Sequence, residues 1–164
     1  MLIGLMSDSH DHLERIERAV ERMNSEKVDS VIHAGDFIAP FALDPLDLLK
    51  VDWVGIYGNN DGEKVGLNTR SAGRITKGPL RLTLDNRRIT VVHILGDLDL
   101  KAEQEQADVV VFGHSHRAET RSEGSLLLVN PGEVYGWRTG RATVATLDTK
   151  TLTVRFYTLW SKSA

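Results

Sequence analysis

The sequence predicts an α/β protein of two packed β-sheets with helices on their outer faces. Two patterns carry this reading. Up to Tyr57, short apolar runs alternate with amphipathic or helix-like stretches, the signature of a largely parallel sheet covered by helices. After Lys64, strand-like runs follow one another closely with only one obvious helix among them. A chain of 164 residues with 41% hydrophobic side chains fits a single domain over residues 1–164, because at this size roughly two-thirds of the unfolded surface can be buried.

Leu2–Met6 is a buried-strand run. The helix after it opens at Asp11 and Glu14, spaced as a capping box, and Leu13, Ile16, Val20 and Met23 recur at helical spacing as far as Asn24-Ser25. Residues 28–33 read as a second strand, 41–49 as a short helix around Pro45, and 53–57 as a third strand. Residues 64–78 are polar and read as irregular. Strands are then expected at 80–84, 89–94, 109–112, 126–129, 142–147 and 152–159, with a helix at about 98–107. Asp85-Asn86 and Asp148-Thr149-Lys150 mark hairpin turns. No internal repeat, low-complexity tract or linker interrupts the chain.

Composition removes several classes of function. With 20 basic and 23 acidic side chains the formal charge is −3, which speaks against a broadly basic, sequence-blind nucleic-acid binder. The absence of cysteine excludes disulfide frameworks, cysteine nucleophiles and thiolate metal sites, so any metal must bind through His, Asp, Glu or Asn. The apolar stretch 1–6 is too short for a signal peptide or a membrane span, and a cytoplasmic setting is expected.

The placement of polar residues is more informative than their number. Asp8 and His10 follow the first strand, Asp36 the second, and Asn59, Asn60 and Asp61 the third. His93 closes the 89–93 run, and His114 and His116 follow 109–112. Open α/β sheets put ligands at such strand ends. Residues two apart in extended chain point the same way, so Asp8 with His10, and His114 with His116, can each offer two donors in one direction. Asp8, His10, Asp36, Asn59, His93, His114 and His116 suffice for two ions if one carboxylate bridges, and Asp36 is the natural bridge. Two divalent ions and two aspartates leave about +2 of charge for a hydroxide and a phosphate. Nitrogen and oxygen donors without sulfur suit Mn, Fe, Zn, Co or Ni, and four imidazoles argue against Mg or Ca alone.

SDSH at 7–10, GD at 35–36, GNND at 58–61, His93, GHSH at 113–116 and NPG at 130–132 together resemble the calcineurin-like metallophosphoesterases, in particular the small single-domain phosphodiesterases of bacteria and archaea. The resemblance implies a four-layer sandwich of two mixed sheets flanked by helices, with a dinuclear centre. One ion would take Asp8, His10, Asp36 and His116, and the other Asp36, Asn59, His93 and His114. It further implies metal-dependent hydrolysis of a phosphoester, in the first place a phosphodiester, by hydroxide activated between two divalent ions, manganese foremost, with Asn60, Asp61 and His93 as catalytic side chains.

Three positions depart from the family's usual pattern. Asn60 replaces a histidine that assists the leaving group, and an amide cannot deliver a proton at neutral pH. Ile94 follows His93 where glycine is usual. Glu133 follows NPG where serine is common, and is expected to face an anionic substrate. Among the remaining residues, His33 reads as a satisfied core histidine, His12 as exposed or supporting, and Asp61 as a group that orients Asn59 or a ligand histidine. Arg70 and Arg74 read as solvated loop residues able to clamp phosphate, and Trp53, Tyr57, Trp137 and Trp160 as core or interface residues.

The partner expected is a small-molecule phosphoester, with no membrane and no indicated nucleic acid; self-association is left open. A scaffold akin to the retromer subunit of this fold is the alternative from another class, and loss of ligand histidines separates it from an enzyme. All seven ligand positions are filled here. A nuclease is the other enzyme reading, without a basic stripe to support it.

Overall fold

The computed structural model describes residues 1–162. The strands are β1 (Leu2–Met6), β2 (Ser30–His33), β3 (Trp53–Ile56), β4 (Ile75–Thr76), β5 (Leu80–Leu84), β6 (Arg87–Val91), β7 (Val109–Val111), β8 (Glu119–Glu123), β9 (Leu126–Asn130), β10 (Arg141–Asp148) and β11 (Thr153–Ser161). The α-helices are α1 (Leu13–Glu26), α2 (Lys64–Arg70) and α3 (Leu100–Glu103), with 3₁₀ segments at Pro40–Leu48 and Leu95–Asp97.

Two mixed sheets result, in the orders β11-β10-β1-β2-β3-β4 and β5-β6-β7-β9-β8. Alternation along β1 explains the layering. Ile3 and Leu5 face inward and pack with Ile32, Ile56, Ile89, Val91, Val109 and Val111 between the sheets. Met6, on the other face, joins Ile16, Val20 and Met23 of α1, together with Leu43 and Leu46. Outside the second sheet, Val110, Phe112 and Leu128 pack with Leu95, Leu98 and Leu100. These are the four layers expected. β1, β2 and β3 run parallel in one sheet, as do β6 and β7 in the other. The loops leaving their C-terminal ends carry the metal-competent side chains.

Several local expectations are corrected. Asp11 does not cap α1; the cap position is His12, without a side-chain cap, and Asp11 Oδ1 accepts from Ala39 N at 2.9 Å. Pro45 lies within the segment at 40–48, which winds as a 3₁₀ helix; proline has no N–H for an α-helical bond. Residues 64–78 contain α2 and β4 and are not wholly irregular. The helix expected over 98–107 shortens to α3, started by Asp99, whose Oδ1 accepts from Lys101 N and Ala102 N. β8 is a polar edge strand whose exposed residues carry no apolar signal. Asp85 and Asn86 do form a turn, both at positive φ (49° and 62°), as a two-residue hairpin requires. Among the described residues no helix is long and apolar enough to cross a membrane.

Candidate metal centre

Backbone hydrogen bonds stitch the strand-end loops together. Asp8 N donates to Gly35 O at 3.0 Å, and Ser9 N and His10 N both donate to Asp36 O at 3.1 Å. Gly113 N donates to His93 O at 3.1 Å, and Tyr135 N to Asp8 O at 3.0 Å. Asn130 of the NPG stretch braces the GHSH loop, with Nδ2 donating to Gly113 O at 3.0 Å and Ser115 Oγ at 2.9 Å. Gly113 is itself required: a Cβ there would meet Ser7 Oγ and lie 2.8 Å from Asp8 Oδ2.

All seven proposed donors come together. Asp36 Oδ2 lies 3.5 Å from His10 Nε2 and 3.3 Å from His93 Nε2. Asp8 Oδ1 lies 3.3 Å from His116 Nε2 and 3.9 Å from His10 Nε2. Asn59 Oδ1 lies 3.0 Å from His93 Nε2 and 2.8 Å from His114 Nδ1. Donor atoms of Asp8, His10 and His116 fall within 4.8 Å of one another, as do those of Asp8, Asp36 and His93. Asp8, His10, Asp36, His114 and His116 all adopt positive φ, between 42° and 65°. Such backbone strain concentrates at functional sites, where the surrounding structure imposes it.

The donor chemistry fits divalent cations. His93 Nδ1 donates to Ala34 O at 2.7 Å, so the proton that a cation would displace is the one on Nε2, whose lone pair would then face the oxygens of Asp36 and Asn59, three donors for one ion. His116 is set the same way: Nδ1 donates to Glu133 Oε2 at 2.8 Å and Nε2 faces Asp8. His10 Nε2 is buried without a hydrogen-bond partner. Burial lowers the His93 pKa, but its hydrogen bond to Asp36 and the Asp36 charge outweigh burial and raise it. Burial likewise pushes Asp36 up, yet the His93 hydrogen bond and charge, with both Asn60 N–H donors, hold it well below the usual carboxylate range. Asp8, buried as Asp36 is, is pushed up by burial.

Glu133 does not face a substrate. It is fully buried, accepts from Thr139 N at 2.6 Å and Thr139 Oγ1 at 2.7 Å, and orients His116, which with these donors keeps it ionised against the cost of burial. Asp61 orients neither Asn59 nor a histidine. Its carboxylate accepts from Asp36 N (3.0 Å), Gly58 N (2.7 Å) and Ile38 N (2.7 Å), holding the second motif against the third. Asn60 sits against Asp36, with N to Oδ1 at 2.9 Å and Nδ2 to Oδ2 at 2.7 Å.

His33 is the satisfied core histidine expected, with Nδ1 accepting from Gly35 N at 3.2 Å, Nε2 3.0 Å from Ser9 Oγ, and its ring stacked on Phe37. Burial drives its pKa down to about 3. Arg70 is engaged by Asp44 and Asp47, and Arg74 donates to Ser71 O, so neither clamps phosphate here. Trp53 is core, whereas Trp137 is 70% exposed and stacks on Tyr135, whose ring centroid lies 5.2 Å from that of His10. Tyr135 was not foreseen from the sequence; its position five residues beyond Asn130 is the one available cue. His12 stands at the edge of the same ring, 6.2 Å between centroids.

A family model described as the calcineurin-like phosphoesterase superfamily domain matches residues 1–152. A phosphodiesterase of Methanocaldococcus jannaschii is 36% identical over 156 residues, covering 92% of this chain and 94% of that protein. A solved structure described as a novel archaeal phosphodiesterase superposes with a TM-score of 0.88 at 34% identity, over 96% of this chain and 99% of the other. Vps29 of Chaetomium thermophilum, at 17% identity and a TM-score of 0.72 over 99% and 98% of the two chains, shares the fold alone. With strand-end loops that gather Asp8, His10, Asp36, Asn59, His93, His114 and His116 into one cluster, and a family match across most of its length, the chain belongs to the calcineurin-like phosphoesterase superfamily.

Proposed function

We propose that this protein is a metal-dependent phosphodiesterase acting on small-molecule phosphodiesters, one domain over residues 1–164, with two divalent ions per chain, manganese foremost. The observation that carries the reading is the position of Asp36, whose Oδ2 stands between His10 Nε2 at 3.5 Å and His93 Nε2 at 3.3 Å. One ion is held by Asp8, His10, Asp36 and His116, and the other by Asp36, Asn59, His93 and His114. When bound, such ions supply a nucleophile at neutral pH and positive charge for the phosphoryl oxygens. The chain's own part is positioning. Asp61 and Asn60 hold Asp36, Glu133 and Ala34 O fix the imidazoles of His116 and His93, and Asn59 contributes a neutral donor that preserves net positive charge. The Asn60 amide, which gives one Nδ2 hydrogen to Asp36 Oδ2 and has a second, is the side chain best placed to hydrogen-bond a phosphoryl oxygen beside Asp36, while His93 acts through its place in the second ion's donor set. The relative's name supports a diester over a monoester. A cytoplasmic setting belongs to the same proposal.

The test is metal analysis of untreated protein, followed by assays of chelated and reloaded protein on matched phosphomonoesters and phosphodiesters. Metal-restored hydrolysis favouring diesters supports the reading. Absence of hydrolysis with every divalent transition ion contradicts it.

A further inference from the structure

A cleft of about 370 Å³ opens directly beside the metal centre, on the side of Asn59 and His93. Its walls include Tyr57, Pro79, Val92 and Ile94, and the ammonium-bearing Lys64 and Lys77 line it together with one carboxylate, Asp97. The volume lies in the range of organic ligand sites, and an apolar wall with a few charged groups is their usual make-up. Ile94 accounts for a departure noted in the sequence, since the side chain present where relatives carry glycine helps build this wall. Lys64 and Lys77 are both exposed, and no carboxylate lies within 4.0 Å of either ammonium among the described residues. Lys64 Nζ instead stands 5.7 Å from the centroid of the Tyr57 ring. Two lysines against one aspartate leave the cleft a net positive charge.

From this juxtaposition we infer that the cleft receives one ester arm of the substrate, an apolar ring-sized group bearing a second negative charge. The inference rests on the phosphodiesterase reading for the position of the phosphoryl group. It adds that Ile94 contacts the ring and that Lys64 and Lys77 select the added anion. An exposed lysine–carboxylate contact is worth about a two- to fivefold preference at low ionic strength, so two lysines together give roughly a tenfold one.

The test compares 4-nitrophenyl phenyl phosphate with its analogue carrying a carboxylate on the phenyl ring, at low salt with metal-loaded protein. Both release the same nitrophenolate, so the ratio of kcat/KM reads the arm. Wild type is expected to favour the carboxylate analogue about tenfold, mainly through KM, and Lys64→Ala/Lys77→Ala to bring the ratio near one. Ile94→Gly should reduce the preference for a phenyl over a methyl arm. Calorimetric titration with phenyl phosphate and carboxyphenyl phosphate reads the same anion preference without turnover. Equal use of the two esters by wild type, or a preference that survives in the double variant, overturns the inference. A binding preference without hydrolysis of either diester supports the cleft assignment and contradicts the phosphodiesterase reading instead.

Discussion

Glu133 Oε2 lies 2.8 Å from His116 Nδ1, and this contact decides which nitrogen His116 presents to Asp8. A carboxylate behind a ligand histidine fixes the tautomer and raises the basicity of the nitrogen in front. Glu133→Gln keeps an acceptor but loses the charge, and is expected to weaken metal binding about tenfold; Glu133→Ala removes both, and about a hundredfold loss is expected. Metal content after dialysis against graded chelator, read beside kcat/KM, checks this. Equal metal retention in all three proteins would show that His116 does not depend on Glu133.

Gly113 allows the GHSH loop to close on Asp8. In Gly113→Ala the new Cβ meets Ser7 Oγ and comes within 2.8 Å of Asp8 Oδ2. The loop must shift or Asp8 must turn. A loss of about 1–3 kcal/mol of stability is expected from the overpacking, together with weaker metal binding. Urea unfolding and metal analysis test both effects, and an unchanged variant on both counts contradicts this packing.

His33 gives a pH dependence of stability that is separate from the metal ligands. Its pKa falls from an ordinary 6.5 to about 3 in the folded protein, chiefly through burial. Below pH 6.5 the unfolded chain takes up a proton that the folded chain refuses, so this contribution is full above pH 6.5 and declines as pH falls toward 3. Between pH 6.5 and 5 the loss from this one group is about 2 kcal/mol. In chelated protein, His33→Asn should show a correspondingly shallower fall in unfolding free energy over that interval than wild type. Parallel curves would mean that His33 is not excluded from protonation.

The layered α/β architecture was legible because the strands are short apolar runs and the ligands stand at their ends. Asp8, His10, Asp36, His93, His114 and His116 could be picked out by their place after those runs, and the structure gathers them at one edge. What escaped was set by contacts distant in sequence. Asp11 reads as a cap but binds Ala39 N, 28 residues away. Glu133 reads as facing solvent substrate because its partner, His116, is 17 residues away and local sequence holds no sign of the contact. Asp61 serves three backbone amides, which no side-chain motif reveals. α2 and β4 are short, and β8 is polar and at a sheet edge, so periodicity had little to register there.

Asn60 shapes the expected substrate preference. Its amide donates to Asp36 Oδ2 at 2.7 Å and has no proton to give a departing alkoxide. General-acid assistance is worth about 10²–10⁴, and least for leaving groups that are already weak bases. Wild type is therefore expected to favour aryl over alkyl diesters strongly, and Asn60→His to narrow that gap. Comparison of kcat/KM for a nitrophenyl and an alkyl diester in both proteins tests this. Equal use of the two by wild type, with chemistry rate-limiting, would assign the proton to another group, with His12 the next to examine.

The central claim is that Asp36 is shared between two ions. Metal stoichiometry after equilibration with limiting free Mn²⁺ tests it most directly, in wild type, Asp36→Asn and His116→Ala. About two ions per chain are expected in wild type, about one in His116→Ala, and well under one in Asp36→Asn, with hydrolysis lost in step. Retention of two ions and full activity in Asp36→Asn would contradict the account.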